Sequence, residues 1–282
     1  MKLATSGSVR LLERQDAEAV WPILDRDPVG NVFVAARLRT ADWEPRRLGA
    51  QLWGYFGSEG LESLCYAGAN LIPVAPAPAA VSAFARHALQ RSRMCSSIFG
   101  REEAVDPLWQ LLRSAWSPAR DVRTGQRLLA TSSAPAVLVD PAVRRASLAE
   151  VDTLLPACVA MYTEEVGVSP IGGDGGAVYR SRVTELVRGE HSFARIEDGE
   201  VLFKAEIGAV TAAACQVQGV WVTPRLRGQG IGTAGMAAVV AEALQSVAPV
   251  VSLYVNGHNT AARRAYARVG FAPAGTFMSV LF

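Results

Sequence analysis

A glycine-rich junction between an apolar segment and an alanine-rich segment constrains this chain more than any other feature. Residues 220–232 read VWVTPRLRGQGIG, with three glycines in the last five positions. Their composition predicts a strand that turns into a helix. The glycines let the backbone approach a ligand, and the amides and dipole of a helix start attract anions. Arg225 and Arg227 add positive charge. Alone, the junction fits a structural turn and a phosphate site equally well.

Two well-known phosphate loops fit this junction poorly. No Gly-Lys-Ser/Thr follows the glycines, which disfavours a nucleoside triphosphate loop. The dinucleotide fingerprint belongs to a βαβ unit, whereas the segments before the junction predict antiparallel strands. The anion therefore remains unidentified at this step.

A second motif follows, in which residues 253–271 read LYVNGHNTAARRAYARVGF. Asn259 is a natural N-cap for a helix, and Gly270 is a natural stop. Three residues lie at i, i+4 and i+7 and therefore share one helical face: Ala262, Tyr266 and Val269. Without further context, a tyrosine at such a position is more often part of the core.

Together the two motifs resemble the cofactor-binding motifs of the GNAT superfamily of acyl-CoA N-acyltransferases. Residues 227–232 match the pattern Q/R-x-x-G-x-G/A, and residues 259–271 match N-x-x-A-x-x-x-Y-x-x-x-G-F. The motif-level similarity covers roughly residues 214–282, and the order of the predicted elements agrees back to position 142. The whole chain is similar to tandem proteins of high-GC bacteria that carry a GNAT-like domain of unknown function before the GNAT domain. The resemblance favours a functional role for Tyr266.

The length of 282 residues predicts two domains, at about 150 residues per domain. Val9 and Arg10 precede an acidic helical segment, and Val143 and Arg144 do the same 134 positions later. The match is weak, but its offset is close to half the chain. A Ser-, Ala- and Pro-rich linker follows residue 131. We therefore expect domains at 1–135 and 136–282.

Hydrophobic patterning predicts a mixed α+β fold. In the first half, strands are expected at 51–56, 61–66 and 94–99, and helices at 79–90 and 105–115. In the second half, helices are expected at 148–165, 177–188, 232–244 and 260–269, and strands at 192–196, 201–210, 214–222, 250–255 and 276–281. The resemblance implies two tandem GNAT-like domains, each a mostly antiparallel twisted sheet flanked by helices.

Composition excludes several classes of protein. With 28 Lys and Arg against 26 Asp and Glu, no global field favours nucleic acid or an acidic membrane. The four cysteines are far apart and form no CxxC pair, which predicts buried reduced thiols and no metal site. No signal peptide is evident, so we expect a cytoplasmic protein. A charge-free run at 63–85 is broken by an asparagine and three prolines, which disfavours a membrane span.

The first half departs from the family pattern. No R-x-x-G-x-G occurs between positions 61 and 90, and residues 70–78, NLIPVAPAP, take the place of the phosphate turn. Proline lacks the amide hydrogen that a pyrophosphate would require. We therefore expect residues 1–135 to be a degenerate copy that does not bind coenzyme A.

The resemblance implies roles for residues of the second half. In the family, the pyrophosphate of coenzyme A lies on the turn, so the expected ligands, mainly through backbone amides, are Arg227, Gly228, Gln229, Gly230, Ile231, Gly232 and Thr233. Backbone near Val222 would hold pantetheine and polarise the thioester carbonyl, with Asn259 on the other side. An amine would attack the acyl carbon directly, and Tyr266 would protonate the departing thiolate. No metal is implied.

The proton acceptor is less clear. An alkyl amine with a pKa near ~10 is mostly protonated at neutral pH and has to lose a proton before it attacks. Glu206 is the candidate base, because it lies in a strand beside the expected cleft. Its same-face neighbours Lys204 and Leu202 nevertheless favour an ordinary solvated face. The three histidines have no triad partners in sequence and are interpreted as ordinary polar residues.

Four further residues are candidates for binding the acceptor. Gln216 and Gln218 share strand parity with Val222, although purely structural polar roles are favoured. Glu164 and Glu165 end a helix before the glycine-rich segment 167–176, and their charges suit a cationic substrate. That segment resembles a mobile lid in position, while an ordinary surface loop is slightly favoured.

The preferred function is an acetyl-CoA-dependent N-acetyltransferase acting on a small-molecule or peptide amine. One alternative is a CoA-binding regulatory or interaction protein without turnover. Another is an acetyltransferase similar to mycothiol synthase, acting on a thiol-precursor amine. The sequence specifies neither the acceptor, the acyl chain nor the oligomeric state, because one fold hosts many acceptors.

Overall fold

The structure, a computed structural model, describes residues 7–282 and divides into two units. The first runs to Leu128 and also contains Ala274–Phe282, whereas the second is Leu129–Pro273. The sequence placed the division near residue 135 and the last strand in the second domain. Residues 132–143 hold no helix or strand.

Both units are built from strands and helices. Up to the division they are β1 (Ser8–Leu11), α1 (Ala17–Leu24), α2 (Val32–Ala41), α3 (Pro45–Leu48), β2 (Ala50–Gly57), β3 (Gly60–Gly68), β4 (Asn70–Val74), α4 (Pro78–Leu89), β5 (Ser97–Arg101), α5 (Glu102–Leu112) and β6 (Asp121–Thr131). After it they are β7 (Arg144–Arg145), α6 (Val151–Val166), α7 (Ala177–Arg188), β8 (Ser192–Glu197), β9 (Glu200–Val210), β10 (Cys215–Val222), α8 (Ile231–Ser246), β11 (Val251–Val255), α9 (Thr260–Val269) and β12 (Ala272–Leu281).

The first unit is a mostly antiparallel sheet in the order β1-β2-β3-β4-β5-β12, in which only the β4–β5 pair is parallel. Period-two alternation gives the sheet two apolar faces. Leu52 and Leu64 pack with α1 and α2, and Trp53 and Cys65 pack with α4 and α5. Both faces are therefore covered by helices.

The second unit repeats this plan with the order β11-β10-β9-β8-β7 and a single parallel pair, β10–β11. One face of β9 presents Phe203, Ala205 and Ile207 to the cluster that contains α8 and α9. The other face presents Lys204 and Glu206 to α6 and α7. These two side chains are 0% and 5% exposed, so the expectation of a solvated face was wrong. α6 covers that face.

The weak sequence repeat corresponds to a repeated structural device. Arg10 donates two bonds to the carboxylate of Asp16, and Arg144 does the same to Glu150. In each copy the carboxylate also accepts the backbone amide three residues before it and caps the helical turn. The two segments, 134 residues apart, therefore form the same connection between a strand and a helical turn, once in each unit.

The Glu150 cap predicts a defined acid sensitivity. Hydrogen bonding to Arg144 lowers the pKa of Glu150 to about 2, against about 4.3 for an unfolded glutamate. A carboxyl with a lowered folded-state pKa contributes stability that is present above the unfolded value and is lost as the pH falls through the folded value. We expect Glu150→Gln to lower the urea midpoint at neutral pH, with the difference from wild type vanishing near pH 2. Equilibrium unfolding measures it, with Glu18→Gln as an exposed control. A difference that persisted near pH 2 would contradict the electrostatic explanation.

Most expected elements are confirmed, and the differences lie in the first half. The structure adds α2, α3 and β6 and begins β5 at Ser97 rather than at 94. Residues 70–74 form β4 rather than the start of a turn. Pro73 is tolerated because β4 pairs with β5 only at Asn70 and Leu71, so proline lies beyond the last pair on that side. The charge-free run at 63–85 forms β3, β4 and α4, and no helix within residues 7–282 has the length and apolar character to cross a bilayer.

Candidate functional site

Two neighbouring strands part in the second unit. β10 and β11 pair in parallel only at Cys215 with Val251 and Gln216 with Ser252. β10 continues to Val222, and its register against β9 shifts between Gln218 and Trp221. This irregularity is a bulge at Gly219, where φ is +60°. Beyond the last pair, the backbone N–H and C=O groups on the facing edges of β10 and β11 can form hydrogen bonds with a ligand.

The glycine-rich junction forms a tight turn at the end of β10. Gly228 and Gly230 have φ values of +78° and +88°, which only glycine adopts without strain, and Gly230 is the N-cap of α8. The amides of Thr233 and Ala234 donate to the carbonyl of Gly230. Among the described residues, the five amides of 228–232 have no hydrogen-bond partner. Five consecutive N–H groups at the positive end of a 16-residue helix can bind an anion.

Arg227 links this turn to the end of α6. Its Nε donates to the carbonyl of Val222 at 3.0 Å, and its NH2 group donates to the two carboxylate oxygens of Glu164 at 2.8 and 3.1 Å. The indole of Trp221 donates to the same carboxylate at 3.3 Å. Glu164, expected to recognise the acceptor, is thus the partner of Arg227 and Trp221.

Glu165 makes the corresponding link to β11. Its Oε1 accepts a hydrogen bond from Nδ2 of Asn256, the residue directly after β11, at 3.2 Å. Glu164 therefore contacts the β10 side and Glu165 the β11 side. The last turn of α6 spans the opening where the strands part. Sequence reasoning missed Asn256, although a polar residue directly after a buried strand is a usable signal.

Tyr266 lies next to this opening. It is 7% exposed, and its ring packs edge-on against Phe271 with centroids 5.9 Å apart. Burial, with a contribution from the charge of Glu165, raises the pKa of Tyr266 above its ordinary value. The phenol stays protonated at neutral pH, and its hydroxyl has no hydrogen-bond partner within residues 7–282. It is available as a donor.

A buried polar cluster lies beneath α6. Oε1 of Glu206 accepts from Nζ of Lys204 and from the thiol of Cys158, the latter at 3.8 Å. A Cβ placed on Gly219 would lie 3.1 Å from Oε2 of Glu206, so this carboxylate lies against the bulge of β10. The candidate base is therefore near the parted strands and already has a cationic partner.

The remaining candidates occupy distinct places. Gln216 is buried and pairs within the sheet, whereas Gln218 is half-buried with its amide lying over Gly208. Asn259 caps α9 as predicted, accepting the amide of Ala262 at 3.1 Å. The loop 167–176 borders a pocket of about 320 Å³ that includes Tyr179. Among residues 7–282, no three His, Cys, Asp or Glu side chains are grouped as metal ligands would be.

The corresponding turn of the first unit is built differently. It lies at 75–78 rather than at 70–78, because β4 occupies the first five positions. Pro76 and Pro78 have no amide hydrogen, and the amide of Ala77 donates to the hydroxyl of Ser63 at 3.3 Å. Ser63 in turn donates to the carbonyl of Ala75 at 2.7 Å. Each of the amides in this turn after Ala75 is therefore absent or occupied.

Two family models match the chain. That of the acetyltransferase (GNAT) family matches residues 175–271, which contain the parted strands, the turn and all of α9. A domain of unknown function, DUF4081, matches residues 50–154. No curated protein matches the chain.

Solved structures share the fold over nearly the whole chain. A GCN5-related N-acetyltransferase from Sphaerobacter thermophilus is 16% identical over 99% of this chain and 96% of its own, with a TM-score of 0.62. A Drosophila protein is 12% identical over 98% and 99%, with a TM-score of 0.65. A tandem GNAT protein from the clavulanic acid biosynthesis pathway is 15% identical over 97% and 98%, with a TM-score of 0.52. The chain therefore has a tandem GNAT fold, and its residues 175–271 match the model of the acetyltransferase (GNAT) family.

Proposed function

We propose that the second unit is an acetyl-CoA-dependent N-acetyltransferase that acetylates a primary amine of a small molecule or peptide. The family match supports acetyl transfer in general. One observation carries the proposal: five consecutive unpartnered amides lie at the start of α8, beside strands that part. Four free thiols, all buried, suit a reducing cytoplasm.

The residues present fit coenzyme A. The free amides of 228–232 would hold its diphosphate, and the open edges of β10 near Val222 and of β11 would hold its pantetheine. The amides of Arg227 and Thr233, also expected from the sequence to bind it, already donate to the carbonyls of Pro224 and Gly230. The oxygen of Asn259 already caps α9, so its amide nitrogen is the group left to contact the ligand. Bound acetyl-CoA supplies an acyl group activated as a thioester.

Two side chains of this chain then carry out the two proton transfers of the reaction. Backbone amides near the bulge polarise the acyl carbonyl. Glu206 takes the proton of the amine as the new carbon–nitrogen bond forms, and Tyr266 donates its hydroxyl proton to the sulfur as the carbon–sulfur bond breaks. Of the four acceptor-side candidates, Gln218 is the one we assign to the acceptor, because Glu165 already accepts a hydrogen bond from Asn256. Gln216 and Glu164 are engaged in the sheet and with Arg227, respectively.

We propose that the first unit does not bind coenzyme A. The two prolines and the occupied amide of Ala77 leave its turn without the donors present in the second unit. Calorimetry with the full chain should therefore report one CoA site per chain. Two sites would contradict this assignment.

Thiol release from acetyl-CoA in the presence of a panel of primary amines tests the function. We expect amine-dependent release together with formation of the N-acetyl product, both lost when acetyl-CoA is replaced by CoA. Binding of CoA without release across the panel would favour the CoA-binding protein without turnover. Release confined to a thiol-precursor amine would favour the reaction similar to that of mycothiol synthase.

A further inference from the structure

The buried pair of Lys204 and Glu206 has no evident structural purpose. Both lie in the middle of β9, in a layer whose other members include Ala194 and Leu154. Removing two charges from water is costly, and a buried ion pair is often no more stabilising than apolar residues of similar volume. The unit would fold with an apolar layer here. The pair therefore invites a chemical explanation.

The surroundings of Glu206 assign different tasks to its two oxygens. Oε1 receives the ammonium of Lys204 and the thiol of Cys158. Burial raises the pKa of that thiol, so it stays protonated and acts as a donor. From α7, the hydroxyl of Tyr179 donates to the carbonyl of Cys158 at 2.9 Å and is not free for the carboxylate.

The second oxygen is free and faces the parted strands. Oε2 has no hydrogen-bond partner in the described part of the chain, and it lies against Gly219, which the methyl group of Met161 also approaches. The register partners of Glu206 are Ser192 on β8 and Gln218 on β10, neither of which is charged. Among the described residues, Lys204 is the cation that forms an ion pair with Glu206. Arg182 on α7 lies near Tyr179, whose charge environment also includes Glu206.

We propose that Lys204 is a positioning residue that keeps Glu206 ionised, with Oε2 aimed at the bulge of β10 to take the proton of the attacking amine. The inference rests on the proposed function. A buried carboxyl without a cationic partner becomes protonated and cannot act as a base, whereas an adjacent ammonium keeps it charged. Burial opposes the charge of Lys204, but Glu206 and Cys158 outweigh it and raise the pKa of the ammonium. Lys204 therefore keeps its proton while Glu206 gains one from the amine and later returns it to solvent.

A pH profile of kcat/KM tests the catalytic part of the proposal. Lys204→Met leaves the buried carboxyl of Glu206 without its cationic partner and favours the protonated form, so the acidic limb should move to higher pH by about one unit or more. Lys204→Arg retains the positive charge and should bring the limb back toward the wild-type position. An acidic limb that does not move in Lys204→Met would overturn the proposal while leaving the acetyltransferase function intact.

A stability measurement tests the charge state without any substrate. In Lys204→Met, ionising the buried carboxyl of Glu206 without a cationic partner would destabilise the folded state, whereas the protonated carboxyl would not, so stability should be lost as the pH rises. The urea midpoint should fall between about pH 4 and pH 8 relative to the double variant Lys204→Met with Glu206→Gln. If Lys204→Met folded only at acidic pH while the double variant folded at every pH tested, the proposal would be supported more strongly. Parallel pH dependences in the two variants would overturn the proposal.

An infrared difference spectrum covers the case in which Lys204→Met does not fold at any pH. The spectrum of wild type minus that of Glu206→Gln, both recorded at neutral pH, should show the bands of an ionised carboxylate. A protonated carboxyl band in wild type would overturn the inference. If no amine is acetylated by wild type, the proposed function fails, and the unfolding and infrared measurements still decide whether Lys204 keeps Glu206 charged.

Discussion

Replacing Gly230 with Asp is expected to weaken binding of coenzyme A about a hundredfold. Asp and Asn enter the left-handed region more readily than most residues, although both are strained there relative to glycine, and no atom lies within 4 Å of the position the new Cβ would take. Its carboxylate would stand beside the amides proposed to hold the diphosphate. A like charge at about 6 Å costs about 3 kcal/mol at an effective dielectric constant of 20, which corresponds to that loss of affinity. Isothermal titration calorimetry measures it.

Gly230→Asn is the matched control, because asparagine has nearly the same shape and carries the same backbone strain without the charge. Both variants should therefore be destabilised to a similar extent relative to wild type, and only the Asp variant should lose most of its CoA affinity. Equal CoA affinities for the Asp and Asn variants would show that no diphosphate lies at this turn.

Replacing Tyr266 with Phe is expected to lower kcat about a hundredfold and to change the dissociation constant of coenzyme A by less than about threefold. A positioned general acid contributes about 10² to 10⁴ in rate, and this substitution removes only the hydroxyl. The ring packing against Phe271 remains. Steady-state kinetics with an identified amine and calorimetry with CoA separate the two effects.

Tyr162→Phe provides the control for this substitution. Tyr162 lies on α6 with its ring against Tyr179, and no role in the transfer is assigned to it. Its loss should leave kcat within about twofold of wild type. If Tyr266→Phe kept the full turnover rate, Tyr266 would not be the proton donor, and solvent or another group would protonate the sulfur.

The cofactor side of the site could be predicted because its signals are local. The left-handed turn requires glycine, the start of α9 requires a capping side chain, and both residues stand where the geometry needs them, at Gly230 and Asn259. Periodicity within α9 likewise places Tyr266 on the buried face. Such features depend on residues within one or two helical turns, which a single sequence displays.

The acceptor side depends on contacts between distant positions, which no local pattern displays. Arg227 binds Glu164 across 63 residues, and Glu165 binds Asn256 across 91. Period-two alternation correctly places Lys204 and Glu206 on the same face of β9. It does not reveal that α6 buries that face, so a solvated pair was favoured over a buried one.

The membership of β12 in the first unit has a consequence for biosynthesis. Its residues from Phe277 to Leu281 pair antiparallel with β5, between Ser97 and Arg101. This partner of β5 therefore leaves the ribosome only after Leu281 has been translated, long after β5 itself. Until then β5 carries an exposed strand edge of the kind that promotes aggregation. A protein truncated after residue 135 would lack β12, and the edge of β5 would remain exposed.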